Sequence, residues 1–145
     1  MAVQIKYAQV IDRPVEKVFH FMVDDHVRNH PRWDPDIELW LDTDRPIAVG
    51  TVIRRRNKRS GTPVEGRMEV VEYEPNRAFG TLIYDGPVEM RGRITFEPAG
   101  DDQTTVTIFW ELPQMDESMD TSFLLRRLEE SAEVRKQLIE SEIAG

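Results

Sequence analysis

The chain of 145 residues contains no cysteine, so disulfide bonds and thiolate metal sites are excluded, and a reducing compartment suits it. No apolar stretch approaches the roughly 20 residues that a membrane-spanning helix requires. Met1 to Val10 lacks a basic segment followed by an apolar core, so we expect no signal peptide and a cytoplasmic protein. Basic residues are also fewer than acidic ones: 19 against 27 give a net charge of −8. This excess of negative charge disfavours nucleic acid and anionic membranes as partners.

Recognisable catalytic motifs are missing as well. The sequence has no Gly-x-Ser-x-Gly nucleophile elbow, no phosphate-binding glycine loop and no dinucleotide fingerprint. Nearly all carboxylates fall at predicted turns, helix caps or outer strand faces, which leaves Tyr84, Arg55 and His20 as weak candidates for acid–base chemistry. We therefore predict no catalytic residue, no cofactor and no metal site, and we regard a binding protein as a better reading than an enzyme.

The residue pattern predicts a first strand, two short helices, a series of further strands and one long helix, in that order. Hydrophobic residues make up 39% and charged residues 32% of the chain, which is typical of a single folded domain over residues 1–145. Val3 to Ile11 predicts a first strand, and Pro14 fits the first turn of a short helix. A second helical stretch over Asp24 to Asn29 is predicted to end at Pro31.

Further alternating segments follow, and the turns between them are so short that the strands must be antiparallel. The segments comprise Ile37 to Leu41, Val49 to about Gly61, Met68 with Val70, Phe79 to Ile83, Val88 to Phe96, and Val106 to Leu112.

A long helix is predicted from about Asp120 to Ile143, with one broad apolar stripe at helical spacing. The stripe comprises Thr121, Leu124, Leu125, Leu128, Ser131, Ala132, Arg135, Ile139 and Ile143. One helix cannot cover a flat sheet of about seven strands, so the sheet is expected to curl around it and enclose a cavity.

Six segments in this order resemble the START/SRPBCC helix-grip superfamily, which includes polyketide cyclase/dehydrase-like and birch-pollen-allergen-like proteins. They are Ile11 to Phe19, His30 to Pro35, Val49 to Thr51, Val70 to Arg77, Thr95 to Pro98, and Thr104 to Thr107. The resemblance implies an α+β fold in which a curved antiparallel sheet wraps on the C-terminal helix, with a deep cavity for apolar ligands between them.

The same resemblance leaves the activity open, because carriers, sensors and enzymes share this fold. Our first reading is a protein that binds a hydrophobic or amphipathic small molecule, such as a lipid, a polyketide-like or an aromatic compound. The alternatives are a polyketide cyclase, aromatase or dehydratase, and a protein–protein interaction module of the chaperone-activator or toxin-like type. A perturbed pair of ionisable groups in the cavity favours the enzyme, and a dry apolar cavity favours the carrier. A weak homodimer is also left open.

The inward strand positions and the helix stripe predict the residues of the ligand cavity. They are Trp33, Ile53, Arg55, Met68, Val70, Phe79, Thr81, Ile83, Met90, Ile94, Trp110, Leu124 and Leu128.

For each of two arginines on these elements, the sequence allows two positions of the side chain. If Ile53 faces inward, strand alternation sends Arg55 inward too, where it needs a ligand anion or an internal carboxylate; the opposite register turns Arg54 and Arg56 inward instead. Arg135, in the helix stripe, is expected to reach the rim with its charged end, the alternative being a polar contact in the cavity.

The histidines are not expected to be functional. His26 and His30 could share a helix face, but we expect an exposed helix there, and the glutamate of a zinc-protease motif is missing between them. His20, between two phenylalanines, is expected to be partly buried packing.

Overall fold

A computed structural model describes residues 3–115 and 121–144. The first strand, β1, spans Val3–Ile11, as predicted. Three short helical segments follow: α1 at Val15–Phe19, a π-helical turn at His20–Asp24 and α2 at His26–Trp33. Six more strands precede the long helix α3 at Ser122–Glu142.

The remaining strands are joined mostly by short turns. They are β2 (Ile37–Leu41), β3 (Val52–Asn57), β4 (Val64–Glu74), β5 (Ala78–Asp85), β6 (Val88–Pro98) and β7 (Thr104–Leu112). They form one antiparallel sheet in the order β1-β7-β6-β5-β4-β3-β2. The sheet curves around α3, which confirms the predicted helix-grip fold.

At two of the boundaries that differ from the prediction, local hydrogen bonds override the residue pattern. Strand β3 begins after a turn in which the Thr51 amide donates to the Ala48 carbonyl (3.0 Å), with Gly50 at a φ of 94° that favours glycine. Helix α2 does not end before Pro31, since the Asp34 amide still donates to the His30 carbonyl at 3.1 Å. The buried side chain of Trp33 helps to hold this last turn in place.

Helix α3 packs against β1 and α2 through a narrower face than the predicted stripe. Its buried side chains are Leu128, Ala132, Arg135 and Ile139, whereas Leu125 is 37% exposed. Asp120, the predicted first residue of this helix, lies outside the described residues. No helix within the described ranges has the length and apolar character to cross a membrane.

Candidate functional site

A cavity of about 110 Å³ lies between the concave face of the sheet and α3. Its sheet wall is built from inward residues of β3 to β7, which are Arg55, Met68, Phe79, Thr81, Ile83, Met90, Ile94, Ile108 and Trp110. Helix α3 forms a second wall, and residues of the π-helical turn and α2 form a third. The walls are therefore mostly apolar, with charged groups inserted between the apolar side chains.

All predicted cavity residues except Ile53 and Val70 line this cavity. Those two side chains are completely buried, but they pack within the core instead of facing the open space. Period-two alternation assigns a residue to a face of the sheet, and it carries no information about which stretch of that face remains open.

Arg55 faces inward and is 5% exposed. Its Nε and Nη2 atoms donate to the two carboxylate oxygens of Asp85 at 2.6 and 2.9 Å, and Asn57 Nδ2 donates to Asp85 at 3.0 Å. The neighbouring Arg54 and Arg56 point outward and pair with exposed carboxylates. Of the two compensations expected for Arg55, the structure thus contains the internal one.

Asp85 corrects our assignment of the carboxylates to turns and outer faces. It is the last residue of β5 and only 6% exposed, because it turns inward just before the β5–β6 turn. Gly66, opposite it on β4, leaves the necessary room: a Cβ atom there would lie 2.7 Å from Asp85 Oδ1. The buried ion pair depends on this missing side chain as well as on the two charges.

The prediction of an exposed helix around His26 and His30 was wrong. His26 is 5% exposed, its ring stacks on that of His30 at 4.8 Å, and both line the cavity. The His26 Nδ1–H group donates to the Met22 carbonyl at 3.1 Å, whereas Nε2 is buried without a hydrogen-bond partner in the described structure. Spacing of four residues did place the two rings on one face, and the error lay in the assumed exposure.

Burial sets the protonation state of these rings. It lowers the pKa of His26 to about 4, and the charge of Arg55 acts in the same direction. The pKa of His30 is lowered well below its usual range, again mainly by burial and then by His26 and nearby arginines. His26 is therefore neutral near pH 7 with its proton on Nδ1, so its buried Nε2 is an acceptor without a partner among the described residues.

Two other acid–base candidates lie elsewhere. His20 was expected to be partly buried, yet its side chain is 64% exposed and contacts Asp24 and Asp25 at the surface. Tyr84 alternates to the outer face of β5, where the guanidinium of Arg67 lies 4.6 Å from its ring centre. Neither residue belongs to the cavity lining.

Arg135 was expected to extend to the rim, but it is 3% exposed and lines the cavity. Its Nε and Nη2 atoms donate to Gln9 Oε1 at 3.2 and 2.5 Å. Helical spacing correctly placed Arg135 on one face with Leu124, Leu128 and Ser131, and the error lay in the expected position of its charged end.

The cavity mouth is charged. Arg59 donates through Nη2 to both oxygens of Asp34 at 3.0 and 2.9 Å, and its Nε atom is buried without a partner in the described structure. Arg127 on α3 lines the same region and is 39% exposed. No cluster of three or more His, Asp or Glu side chains that could hold a metal ion occurs in the described ranges.

Several solved structures share this fold over nearly the whole chain. Ara h 8.0201 is 12% identical, with a TM-score of 0.77 that covers 98% of this chain and 100% of that one. A START superfamily protein from Mycobacterium smegmatis is 16% identical with a TM-score of 0.74, covering 97% and 99% of the two chains. Protein CV1439 from Chromobacterium violaceum is 17% identical, also at 0.74, covering 94% and 97%.

No curated protein sequence matches the chain. The sequence model of the family described as polyketide cyclase / dehydrase and lipid transport, by contrast, matches residues 2–133. That match spans most of the chain and agrees with the helix-grip fold of the structural relatives. The chain therefore belongs to the polyketide cyclase / dehydrase and lipid transport family, and it shares its fold with a START superfamily protein.

Proposed function

We propose that this protein binds a hydrophobic or amphipathic small molecule in the cavity between the sheet and α3. The walls supply apolar contact from aromatic and aliphatic side chains, which is the usual composition of a small-molecule site. Polar and charged side chains lie between these apolar groups, where they can orient a guest.

The observation that carries this proposal is a pair of buried polar atoms without partners, in two residues that line the cavity. Buried polar atoms usually have hydrogen-bond partners, because leaving one without a partner costs about 1–3 kcal/mol. His26 Nε2 and Arg59 Nε are buried in residues that line the cavity and lack partners within the described structure. A guest with polar groups supplies what these atoms lack.

The cavity volume limits the guest. At about 110 Å³ the space is somewhat smaller than the roughly 150 Å³ cavity that admits benzene in an engineered protein. Met22, Met68 and Met90 line it, and methionine side chains can rearrange to admit a larger body. We expect one or two fused rings, or a short chain of comparable volume.

Two serines of α3 provide a matched test. Ser131 lines the cavity and donates to the Arg127 carbonyl, whereas the exposed Ser141 donates to the Leu138 carbonyl. We expect 2-naphthamide to bind the unmodified protein in calorimetric titration and to raise its melting temperature by mass action. Ser131→Leu should abolish both effects and Ser141→Leu should retain them. Equal binding by the two variants would place the site elsewhere.

The neutral imidazole of His26 favours a second candidate, a cyclase or dehydratase acting on a carbonyl compound. Such an enzyme needs a base to remove a proton from carbon next to a carbonyl, and the unprotonated Nε2 of His26 can accept it. His26 and His30 are stacked and both have a lowered pKa, and strongly perturbed titratable groups in a cavity are candidates for catalytic residues.

Deuterium exchange separates this candidate from a carrier. In the enzyme, the C2 proton of acetoacetyl-N-acetylcysteamine moves to His26 Nε2 and a solvent deuteron returns to C2, which NMR in D₂O detects. The unmodified protein should raise the rate of deuterium exchange at C2 above the uncatalysed rate. His26→Gln should abolish this increase, and His20→Gln, at an exposed surface position, should retain it. Exchange at the uncatalysed rate with all three proteins would leave binding as the function.

A further inference from the structure

Arg135 is an unusual component of the helix wall. It occupies the buried face of α3 together with Leu128, Ala132 and Ile139, and only 3% of it is exposed. Burial of a guanidinium in apolar surroundings is costly unless its charge and its N–H groups are compensated. The hydrogen-bond and charge partners of Arg135 therefore indicate whether it stabilises the fold or serves a ligand.

Gln9 is the sole hydrogen-bond acceptor that the described residues offer to Arg135. Its Oε1 atom accepts from Nε and Nη2, and its own amide donates to the Ala132 carbonyl at 3.1 Å, which fixes the direction of the carboxamide. A guanidinium has five N–H groups, so one neutral oxygen satisfies only part of it. No carboxylate of the described chain pairs with this charge.

The other arginines around the cavity are different. Arg55 pairs with Asp85, Arg59 with Asp34 and Arg93 with Glu72. Arg127, at the mouth, lies 3.8 Å from Asp36. Arg135 is thus the cavity-lining cation whose charge the described residues leave uncompensated. Burial accordingly lowers its pKa to about 10, which shows how poorly the charged form is accommodated without a partner.

We infer that Arg135 binds the carboxylate of the ligand, and that the ligand is an amphiphile with a compact apolar body and one carboxylate group. This inference rests on the proposed function. The planar fork of a guanidinium matches a carboxylate and accepts it with two parallel hydrogen bonds. A dianionic phosphate would bring a second charge, for which the cavity has no further unpaired cation in the described ranges.

A pair of probes that differ only in charge tests the inference. 2-Naphthoate and 2-naphthamide have the same ring system, and calorimetric titration at pH 7 gives the ratio of their affinities. We expect the unmodified protein to prefer the anion, and Arg135→Met to lower the anion-to-amide ratio by at least about tenfold, the scale of a lost charged hydrogen bond. Binding of the amide itself should change little.

Two further variants keep the result specific. Arg126→Met removes one positive charge from the exposed side of the same helix and should leave the ratio unchanged, because it does not line the cavity. Arg135→Lys restores a cation without the fork and should recover part of the preference. Circular dichroism and urea unfolding verify that each variant is folded.

The outcomes are distinguishable from those of the proposed function. An unchanged ratio in folded Arg135→Met, with the amide still bound, overturns the carboxylate assignment and leaves the binding function intact. An equal fall in Arg126→Met also overturns it, since net charge would then explain the preference. Failure of the unmodified protein to bind either probe removes the proposed function and this inference with it.

Discussion

Two buried arginines line the same cavity, one from the sheet and one from the helix. Arg55 and Arg135 are 5% and 3% exposed, so water compensates neither of them. Arg55 has a carboxylate that accepts two hydrogen bonds, and this carboxylate accepts a third from Asn57. Arg135 has the neutral amide oxygen of Gln9.

The difference indicates that the charge of Arg55 stabilises the fold, whereas the charge of Arg135 remains available to a ligand. A complete ion pair needs no ligand to compensate its charges. Removing one of its two side chains leaves the other charge buried without a partner. An incomplete one holds hydrogen-bonding capacity that a guest can use. The free energy of unfolding of charge-removing variants distinguishes the two cases directly.

The largest effect is expected when Asp85 loses its charge. Asp85→Asn leaves Arg55 buried without an anion, and such a change typically costs about 3–5 kcal/mol of unfolding free energy. Urea unfolding at pH 7 measures the loss. The adjacent pair provides a matched control: Asp42→Asn removes the partner of Arg54, both of whose side chains are more than half exposed, and should cost less than about 1 kcal/mol.

A double variant tests whether the cost comes from the stranded charge. Arg55→Met combined with Asp85→Asn removes both charges, and it should be more stable than Asp85→Asn alone. If the double variant loses as much as the two single changes added together, the residues do not interact energetically. The distinction between the two arginines would then have no basis.

The fold was predictable because its signals are local and repeated. Period-two alternation and turn residues identified all the strands, and β1 was placed with its observed ends. The predicted end of α2 failed at Pro31, since proline forbids one hydrogen bond, whereas the packing of Trp33 acts on the whole turn. Boundaries thus depend on tertiary contacts that residue patterns do not contain.

The site was only partly predictable. Alternation from Ile53 correctly turned Arg55 inward, but its partner Asp85 lies thirty residues away at a turn, where a carboxylate is ordinarily solvated. The pairing depends on strand register across β3, β4 and β5, together with the space at Gly66. Residue patterns contain none of these three-dimensional constraints.

The buried histidines and Arg135 were misjudged for a common reason. Polar side chains on an amphipathic helix are normally exposed, so both positions were assigned to solvent or rim. In the structure, α2 and α3 turn these polar groups toward the cavity. A functional site is where such departures from ordinary patterning are expected.

An effect of intermediate size is expected on the free energy of unfolding at acidic pH. The pKa of His26 falls from 6.5 to about 4 on folding, so between these values the unfolded chain binds more protons than the folded one. The contribution of His26 to stability should therefore decrease by up to about 3 kcal/mol as pH falls from about 6.5 to about 4, and it should level off below that pH. His30 acts in the same direction. Urea unfolding between pH 7 and pH 4 measures the decrease.

Variants assign this decrease to the cavity. His26→Gln should flatten the pH dependence, and His20→Gln, at the surface, should leave it in place. Arg55 and Arg135 both lower the pKa of His30, so the two arginine sites also contribute to the acid response. An identical slope in His26→Gln would show that other titratable groups, and not this ring, control acid stability.

The smallest effect is expected at Arg135 itself. Arg135→Met removes a buried charge that no described carboxylate compensates, which favours the folded state, and leaves Gln9 Oε1 without its donor, which opposes it. The methionine preserves most of the apolar packing of the arginine stem. We expect the free energy of unfolding to change by less than about 1 kcal/mol, against about 3–5 kcal/mol for Asp85→Asn. A loss as large as that at Asp85 would mean that Arg135 is already paired within the protein, and would make the two arginines equivalent. A near-neutral change together with lost selectivity for a carboxylate would mean that its charge is maintained for a ligand, because it does not stabilise the fold.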